Sequence, residues 1–138
     1  MAYKFPSEAW LLALKDVLNQ DQQYARIARN WEGDMMFHVE AGGPLLAPVE
    51  MYLDLWHGQC RRAFEVTPEN REGLEPAFIL SASYENLKRV LKGELDPMQA
   101  MISRKLKVQG SMAYMMRNVP TVLEFVRCAK AVPADFIP

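Results

Sequence analysis

The sequence predicts a single α+β domain, and two observations indicate this fold class. Segments whose apolar residues recur at helical spacing are interspersed with segments in which apolar and polar residues alternate, as they do in half-buried strands. The 138 residues are 50% hydrophobic and 24% charged, a balance that excludes a disordered or collagen-like chain and allows a core without disulfides or metal. No internal repeat divides the chain, so we expect residues 1–138 to form one domain.

Two helices are predicted in residues 7–30. Ser7 is the expected N-cap of the first helix, which continues to about Asn19 with its apolar residues on one face. Residues 21–30 predict a second, shorter helix.

Two strands follow these helices. Residues 33–41 and 49–56 alternate between apolar and polar side chains, and the glycine-proline run at 42–44 separates them. Each strand is therefore predicted to have one buried face and one solvated face.

A third and a fourth strand are predicted farther along the chain. The His-Gly pair at 57–58 predicts a tight turn into an antiparallel strand, Cys60–Val66, in which we expect Phe64 and Val66 to point inward. A polar loop then leads to a short buried strand, Ala77–Ala82.

Two more helices and a strand come next. Ser83 is the expected N-cap of a helix that ends near Gly93, and Asp96-Pro97 begins a short helix to about Ile102. Basic and apolar residues alternate over Arg104–Gln109, which predicts a strand with one solvated face.

The last part of the chain is predicted to be helical. Ser111 is its expected N-cap, and Pro120 should kink the helix or begin a second one. We expect the tail, Ala131–Pro138, to be irregular.

Charge and cysteine usage exclude several classes of function. The net charge of −1 provides no general attraction for nucleic acid, so we expect no nucleic-acid partner. Cys60 and Cys128 are far apart, which favours reduced thiols in the cytoplasm. There is no signal-peptide pattern and no apolar segment of the roughly 18 residues that span a bilayer, so we expect a soluble protein without cofactor or metal.

Several polar residues invite a catalytic interpretation. His57 and Cys60 lie three positions apart but lack the further ligands or orienting group that a metal site or a nucleophile needs. A second group of candidates shares a predicted sheet face and comprises Asp34, His38, Glu40, Glu50 and Asp54. A solvated face explains these side chains more simply, so we predict that the protein is not an enzyme, with a small hydrolase using His38 or His57 as the lesser alternative.

Methionines are concentrated in one segment. Five of the nine lie between residues 96 and 116. Methionine is flexible and polarizable, so it suits a surface that adapts to ligands of variable shape as well as an ordinary core.

The same segment carries a resemblance to a known family. Residues 95–112, LDPMQAMISRKLKVQGSM, resemble the signature region of the sterol carrier protein type-two family of lipid-binding domains. Residues 33–37 resemble the family's first strand, and residues 77–87 resemble its fourth strand and the following helix. The resemblance covers about Trp31 to Ala131, and it departs from the usual Gly-Asp-Met pattern at Ser111.

The resemblance implies both a fold and a set of binding residues. It implies a five-stranded, largely antiparallel sheet covered on one face by helices, with an apolar tunnel between the layers. The implied ligand-binding residues are Phe37, Met51, Leu53, Phe78, Leu80, Met98, Met101, Ile102, Met112, Met115, Met116, Val119 and Leu123. Arg104 and Lys105 are candidates for meeting a lipid headgroup, and the break at Pro120 is a candidate hinge for a lid.

The function implied by the resemblance is noncovalent binding and transfer or presentation of a lipid. The candidate ligands are a fatty acid, a fatty acyl-CoA, a phospholipid or a sterol-like molecule. An accessory protein that presents a lipid intermediate, such as a quinone precursor, to a partner enzyme is the alternative. Transient membrane contact and a lipid-metabolising enzyme are the candidate partners. The chain ends in Phe-Ile-Pro, not in a peroxisomal address, which favours a cytoplasmic, prokaryotic-type member.

Overall fold

A five-stranded sheet forms the centre of the computed structural model, which describes residues 2–138. Its strands are β2 (Met35–Glu40), β3 (Val49–Trp56), β4 (Gln59–Glu65), β5 (Phe78–Ser83) and β6 (Lys107–Gln109). Their order across the sheet is β4-β3-β2-β5-β6. Only β2 and β5 are parallel among neighbouring strands of this sheet, so the predicted, largely antiparallel sheet is confirmed.

Helices cover one face of this sheet. They are α1 (Glu8–Gln20), α2 (Gln22–Ile27), α3 (Tyr84–Leu91), α4 (Pro97–Ile102), α5 (Met112–Arg117) and α6 (Val119–Ala131). The main core lies between them and the sheet residues that face them, among which Leu53 and Leu55 are almost fully buried. The opposite sheet face carries only a small apolar cluster around Met36, Tyr52 and Val66. None of the helices in residues 2–138 is long and apolar enough to cross a membrane.

The predicted N-caps are confirmed. The Ser7 and Ser83 hydroxyls each accept a hydrogen bond of 3.1 Å from the backbone N–H three residues on. Asp96 accepts from Met98 at 2.7 Å, and Ser111 accepts from Tyr114 at 3.1 Å. These side chains satisfy N–H groups that a helix start otherwise leaves without a partner.

The predicted inward direction of Phe64 and Val66 is wrong. A β-bulge opposite Asp54 and Leu55 inserts Arg61 into β4, so the alternation of faces reverses after Cys60. Cys60 remains in the main core, whereas Phe64 packs on Tyr52 at the other face, with ring centroids 5.0 Å apart.

The strand predicted over Arg104–Gln109 is shorter than expected. Arg104 has a φ of +63°, and the Leu106 N–H donates to Ala100 O at 2.9 Å. The chain therefore turns around the end of α4 and pairs with β5 only from Lys107 onward.

The tail is not irregular as predicted. Strand β1 (Tyr3–Phe5) pairs in parallel with β7 (Ala134–Phe136), which brings the two ends of the chain together. Phe5 and Phe136 pack edge to face across this pair, with ring centroids 5.9 Å apart. Each strand has only three residues, too few for a readable alternation.

The final helical region is divided in two, as one of the alternatives for Pro120 predicted. Asn118, with φ −123° and ψ 33°, leaves the helical conformation, and Pro120 lies in the first turn of α6. Because proline lacks an N–H, it is tolerated there.

Candidate functional site: an apolar cavity under the helices

A cavity of about 80 Å³ lies between the helix-covered face of the sheet and the helices. Its sheet side is formed by Met35, Phe37, Met51, Leu53 and Leu80. The helices contribute, among others, Trp10, Leu11, Leu14, Leu87, Val90, Met101, Met115, Phe125, Val126 and Ala129. All of the lining side chains are apolar or aromatic, so the cavity can hold hydrocarbon and offers nothing to a buried charge.

Six of the residues predicted to bind a ligand line this cavity. They are Phe37, Met51, Leu53, Leu80, Met101 and Met115. Phe37 is held in place by Phe125 of α6, whose ring stacks on it at 5.8 Å. Their contact with a ligand stays a prediction, but the fold brings these six side chains together.

The other predicted residues lie elsewhere. Phe78 belongs to an aromatic cluster with Trp31 at 5.5 Å and Tyr114 at 6.0 Å. Met98 and Val119 are half-buried outside the cavity wall. Four residues have large exposed fractions: Ile102 (70%), Met112 (42%), Met116 (51%) and Leu123 (44%).

The contribution of α1 and α3 to the wall was not predicted, and α6 lines the cavity through residues other than the predicted Val119 and Leu123. Trp10, Leu11 and Leu14 form the buried stripe of α1, and Leu87 and Val90 form that of α3. Their helical spacing was visible and predicted a core face. It did not distinguish side chains that fill the core from side chains that border a space within it.

An open groove of about 420 Å³ lies outside the cavity, between α4 and α6. It is lined by Pro97, Leu123, Val126, Arg127, Lys130 and Ala131. Pro97 and Val126 line both the groove and the cavity. The cavity and the groove therefore adjoin at these two side chains.

Electrostatics give the groove a basic edge. Arg127 is engaged by Asp21 at 2.6 Å and by Glu124 at 2.8 Å. The hydrogen bond from Arg127 lowers the pKa of the Asp21 carboxyl, which the Tyr24 N–H lowers further. Lys130 forms no ion pair within residues 2–138, so its ammonium is available to an anion at the groove.

Polar contacts hold α5 and α6 but not α4. The Tyr114 hydroxyl of α5 accepts from the Glu32 N–H at 2.9 Å. Gln23 of α2 donates to Glu124 of α6 at 2.9 Å, beside the Asp21–Arg127 pair. In the part of the chain that the structure describes, no side-chain hydrogen bond or ion pair joins α4 to another helix or strand. Packing and one backbone hydrogen bond, from the Leu106 N–H to Ala100 O, keep α4 in place.

One cavity-lining residue has a buried polar atom without a partner. Trp10 is 4% exposed, and its indole Nε1 is the only buried side-chain nitrogen or oxygen without a hydrogen bond in residues 2–138. Its nearest aromatic neighbour is Phe5, at 4.8 Å between ring centroids and 74° between planes.

The predicted headgroup residues line neither the cavity nor the groove. Arg104 and Lys105 are exposed in the turn after α4. Their binding of a headgroup stays a prediction.

The polar residues considered for catalysis lie outside the cavity. His38 Nδ1 is 3.0 Å from Glu50 Oε2, which also pairs with Arg71, on the sheet face opposite the helices. The exposed His57 Nε2 is 2.6 Å from Glu32. Burial raises the pKa of the Cys60 thiol to about 12, which disfavours the reactive thiolate. Within residues 2–138 there is no group of three or more metal-ligating side chains.

Comparison with known proteins identifies the family. The sequence model of the SCP-2 sterol transfer family matches residues 14–122. The chain belongs to the SCP-2 sterol transfer family. The resemblance seen in residues 95–112 is thereby confirmed. No curated protein matches the chain.

Solved structures similar to this SCP-2 family member have the same fold. A crystal structure of sterol carrier protein 2 is 30% identical, with a TM-score of 0.83 over 94% of this chain and 99% of that one. A conserved hypothetical protein of Thermus thermophilus, suggested to be a sterol carrier protein, is 28% identical, with a TM-score of 0.83 over 98% of this chain and 94% of that one. The ubiquinone synthesis protein UbiJ-SCP2 is 15% identical over 88% of each chain, with a TM-score of 0.52, so this likeness concerns the fold alone.

Proposed function

We propose that this protein binds a lipid noncovalently in the apolar cavity and transfers it between membranes. The observation that carries the proposal is an uncharged, apolar cavity enclosed between sheet and helices in a member of a sterol transfer family. Each methylene moved from water into such a site contributes about 0.8 kcal/mol, so ten would contribute roughly 8 kcal/mol before the costs of ordering. Burial of the hydrocarbon chain is therefore sufficient for affinity, and the protein does not need to react with the ligand.

The cavity must widen to hold such a ligand. Its volume of about 80 Å³ is well below the roughly 300–1,000 Å³ of small-molecule pockets. The lid predicted for the last segment would require α6 to leave the Asp21 and Gln23 contacts. We assign the movement to α4 instead, because no side-chain hydrogen bond or ion pair joins this helix to another described helix or strand, and its Pro97 closes one side of the passage.

The ligand enters, in this proposal, between Pro97 and Val126. The exposed Leu123 and the basic Lys130 give the groove an apolar floor and a cationic edge, which suit an amphiphile whose headgroup stays in water. A fatty acid, a fatty acyl-CoA, a phospholipid and a sterol-like molecule all have this form. The free, buried Cys60 and Cys128 support a reducing, cytoplasmic compartment.

A transfer assay tests the proposal. Donor vesicles carry a self-quenched fluorescent fatty acid, and catalytic amounts of protein should accelerate its appearance in acceptor vesicles. Val126→Trp should slow the transfer by blocking the passage, whereas Val119→Trp, on the same helix but outside the cavity and groove, should not. No acceleration by the unmodified protein would exclude free transfer, and equal effects of the two variants would exclude this passage.

Presentation of a lipid to a partner enzyme is the second candidate. It uses the same cavity and is favoured by the exposure of Ile102, Met112 and Met116 on α4 and α5, since apolar side chains at a surface are suited to a partner. Copurification of a defined lipid-metabolising enzyme that is lost in Met112→Glu/Met116→Glu would favour presentation. Unaided transfer between protein-free vesicles favours free carriage.

A further inference from the structure

We infer that the lipid carried by this protein has a neutral oxygen in its buried part, a hydroxyl, ketone or ester carbonyl, which accepts a hydrogen bond from the Trp10 indole. This inference rests on the proposed function and narrows its ligand class. It starts from the unpartnered Nε1 of Trp10, a side chain in the cavity wall.

An unpartnered indole N–H is unusual in a folded chain. Buried polar groups are nearly always hydrogen-bonded, because leaving one unsatisfied forfeits its bond with water. The other buried side-chain nitrogens and oxygens of residues 2–138 have partners: Trp31, which is also buried, donates to Gly33 O at 2.8 Å. The Phe5 ring packs on Trp10, and an N–H contact with an aromatic ring is a weak substitute for a hydrogen bond.

The cavity wall determines which acceptor suits Trp10. No lining residue is charged, and none other than Trp10 has a side-chain nitrogen or oxygen. An ionised carboxylate or phosphate would lose its hydration there and gain a single hydrogen bond, which does not compensate. A neutral oxygen loses far less hydration. Charged groups of the same ligand are better placed in the groove, beside Lys130.

The role of Trp10 is therefore to determine specificity within a hydrocarbon site. A pure hydrocarbon chain would fill the space and leave the N–H without a partner. A lipid with a neutral acceptor at the matching depth would satisfy it, and the protein should distinguish the two.

Competition with matched probes tests this inference. Heptadecanone and heptadecane, which have equal length and differ in one carbonyl, compete with a bound fluorescent fatty acid. In the unmodified protein the ketone should be preferred, and in Trp10→Phe the ketone-to-alkane affinity ratio should fall about three- to tenfold. The lost ring volume affects both probes, so it leaves the ratio unchanged. Trp56→Phe, outside the cavity, is the matched control and should keep the original ratio.

A measurement on the unmodified protein avoids any effect of the substitution on folding. In a ¹⁵N-labelled sample, the Trp10 indole N–H resonance should move downfield with the ketone and not with the alkane. The same affinity ratio in Trp10→Phe, or identical shifts with both probes, would overturn the inference while leaving lipid carriage intact. Failure of both probes to displace the fluorescent fatty acid, or of that fatty acid to bind, would overturn the proposed function as well.

Discussion

Filling the cavity should both stabilise the protein and weaken its binding of lipid. Ala129 on α6 is 5% exposed and lines the cavity, so Ala129→Leu directs three further carbons into the space. In cores, a cavity costs about 24 cal/mol per Å³. Occupying most of the about 80 Å³ should therefore raise the free energy of unfolding by up to ~2 kcal/mol.

The same change should weaken binding. Three side-chain carbons occupy the space of about three lipid methylenes, each worth about 0.8 kcal/mol, so affinity should fall roughly 60-fold. Urea unfolding of delipidated protein measures stability, and a fluorescent fatty acid measures binding. Ala113→Leu, at an exposed site on α5, is the control and should change stability by less than about 0.5 kcal/mol and leave binding unaltered.

Two results would refute this reasoning. A loss of about 1–3 kcal/mol in stability would mean that the leucine overpacks a region without usable space. A gain in stability with undiminished lipid affinity would mean that the lipid binds outside the cavity.

Three further predictions concern charge, pH and backbone. Lys130→Glu should slow transfer from anionic vesicles about fivefold or more and leave the rate of transfer from zwitterionic vesicles unchanged. Equal slowing with both kinds of vesicle would show that Lys130 does not attract anionic lipid to the groove. Because burial raises the pKa of Cys60 from 9.0 to about 12, the unfolded chain loses this proton first, and stability falls as pH rises through that interval. Urea midpoints should show that Cys60→Ala reduces this fall by up to about 1.4 kcal/mol per pH unit, and an unchanged slope would contradict the shift. Gly58 has a φ of +81°, and an added Cβ would lie 2.6 Å from Ala25 O, so Gly58→Ala should cost about 3 kcal/mol in urea unfolding. Gly43→Ala, with a φ of +55° and open space, should cost no more than ~2 kcal/mol, and equal costs would exclude the steric contact.

Local signals in the sequence predicted the element order. Serine and aspartate caps, a proline at a helix start and glycine after a helix act over three or four residues, and all of them indicated boundaries close to the observed ones. The bulge at Arg61 could not be foreseen, because no local pattern distinguishes an inserted residue from a continuing strand. The β1–β7 pair joins segments about 130 residues apart and depends on packing at both chain ends.

The candidate site was predictable only in part, for a geometric reason. Consecutive Met115 and Met116 are both apolar, yet one is fully buried in the cavity wall and the other is 51% exposed. Met101 and Ile102 on α4 differ in the same way, since Met101 is buried and Ile102 is exposed. Hydrophobic spacing predicts a stripe, but the roll of a six-residue helix about its axis is decided by tertiary contacts. The sequence pattern of a residue that lines a cavity is the same as that of a residue packed in the core.

Native mass spectrometry of freshly purified protein, followed by extraction and identification of the released molecule, tests lipid carriage most directly. We expect one lipid per chain, retained or taken up from added fatty acid, acyl-CoA or sterol, and a much smaller lipid-bound fraction in Ala129→Leu. An apo mass that persists in the presence of all three lipids would contradict the account and leave the cavity as a packing defect of the core.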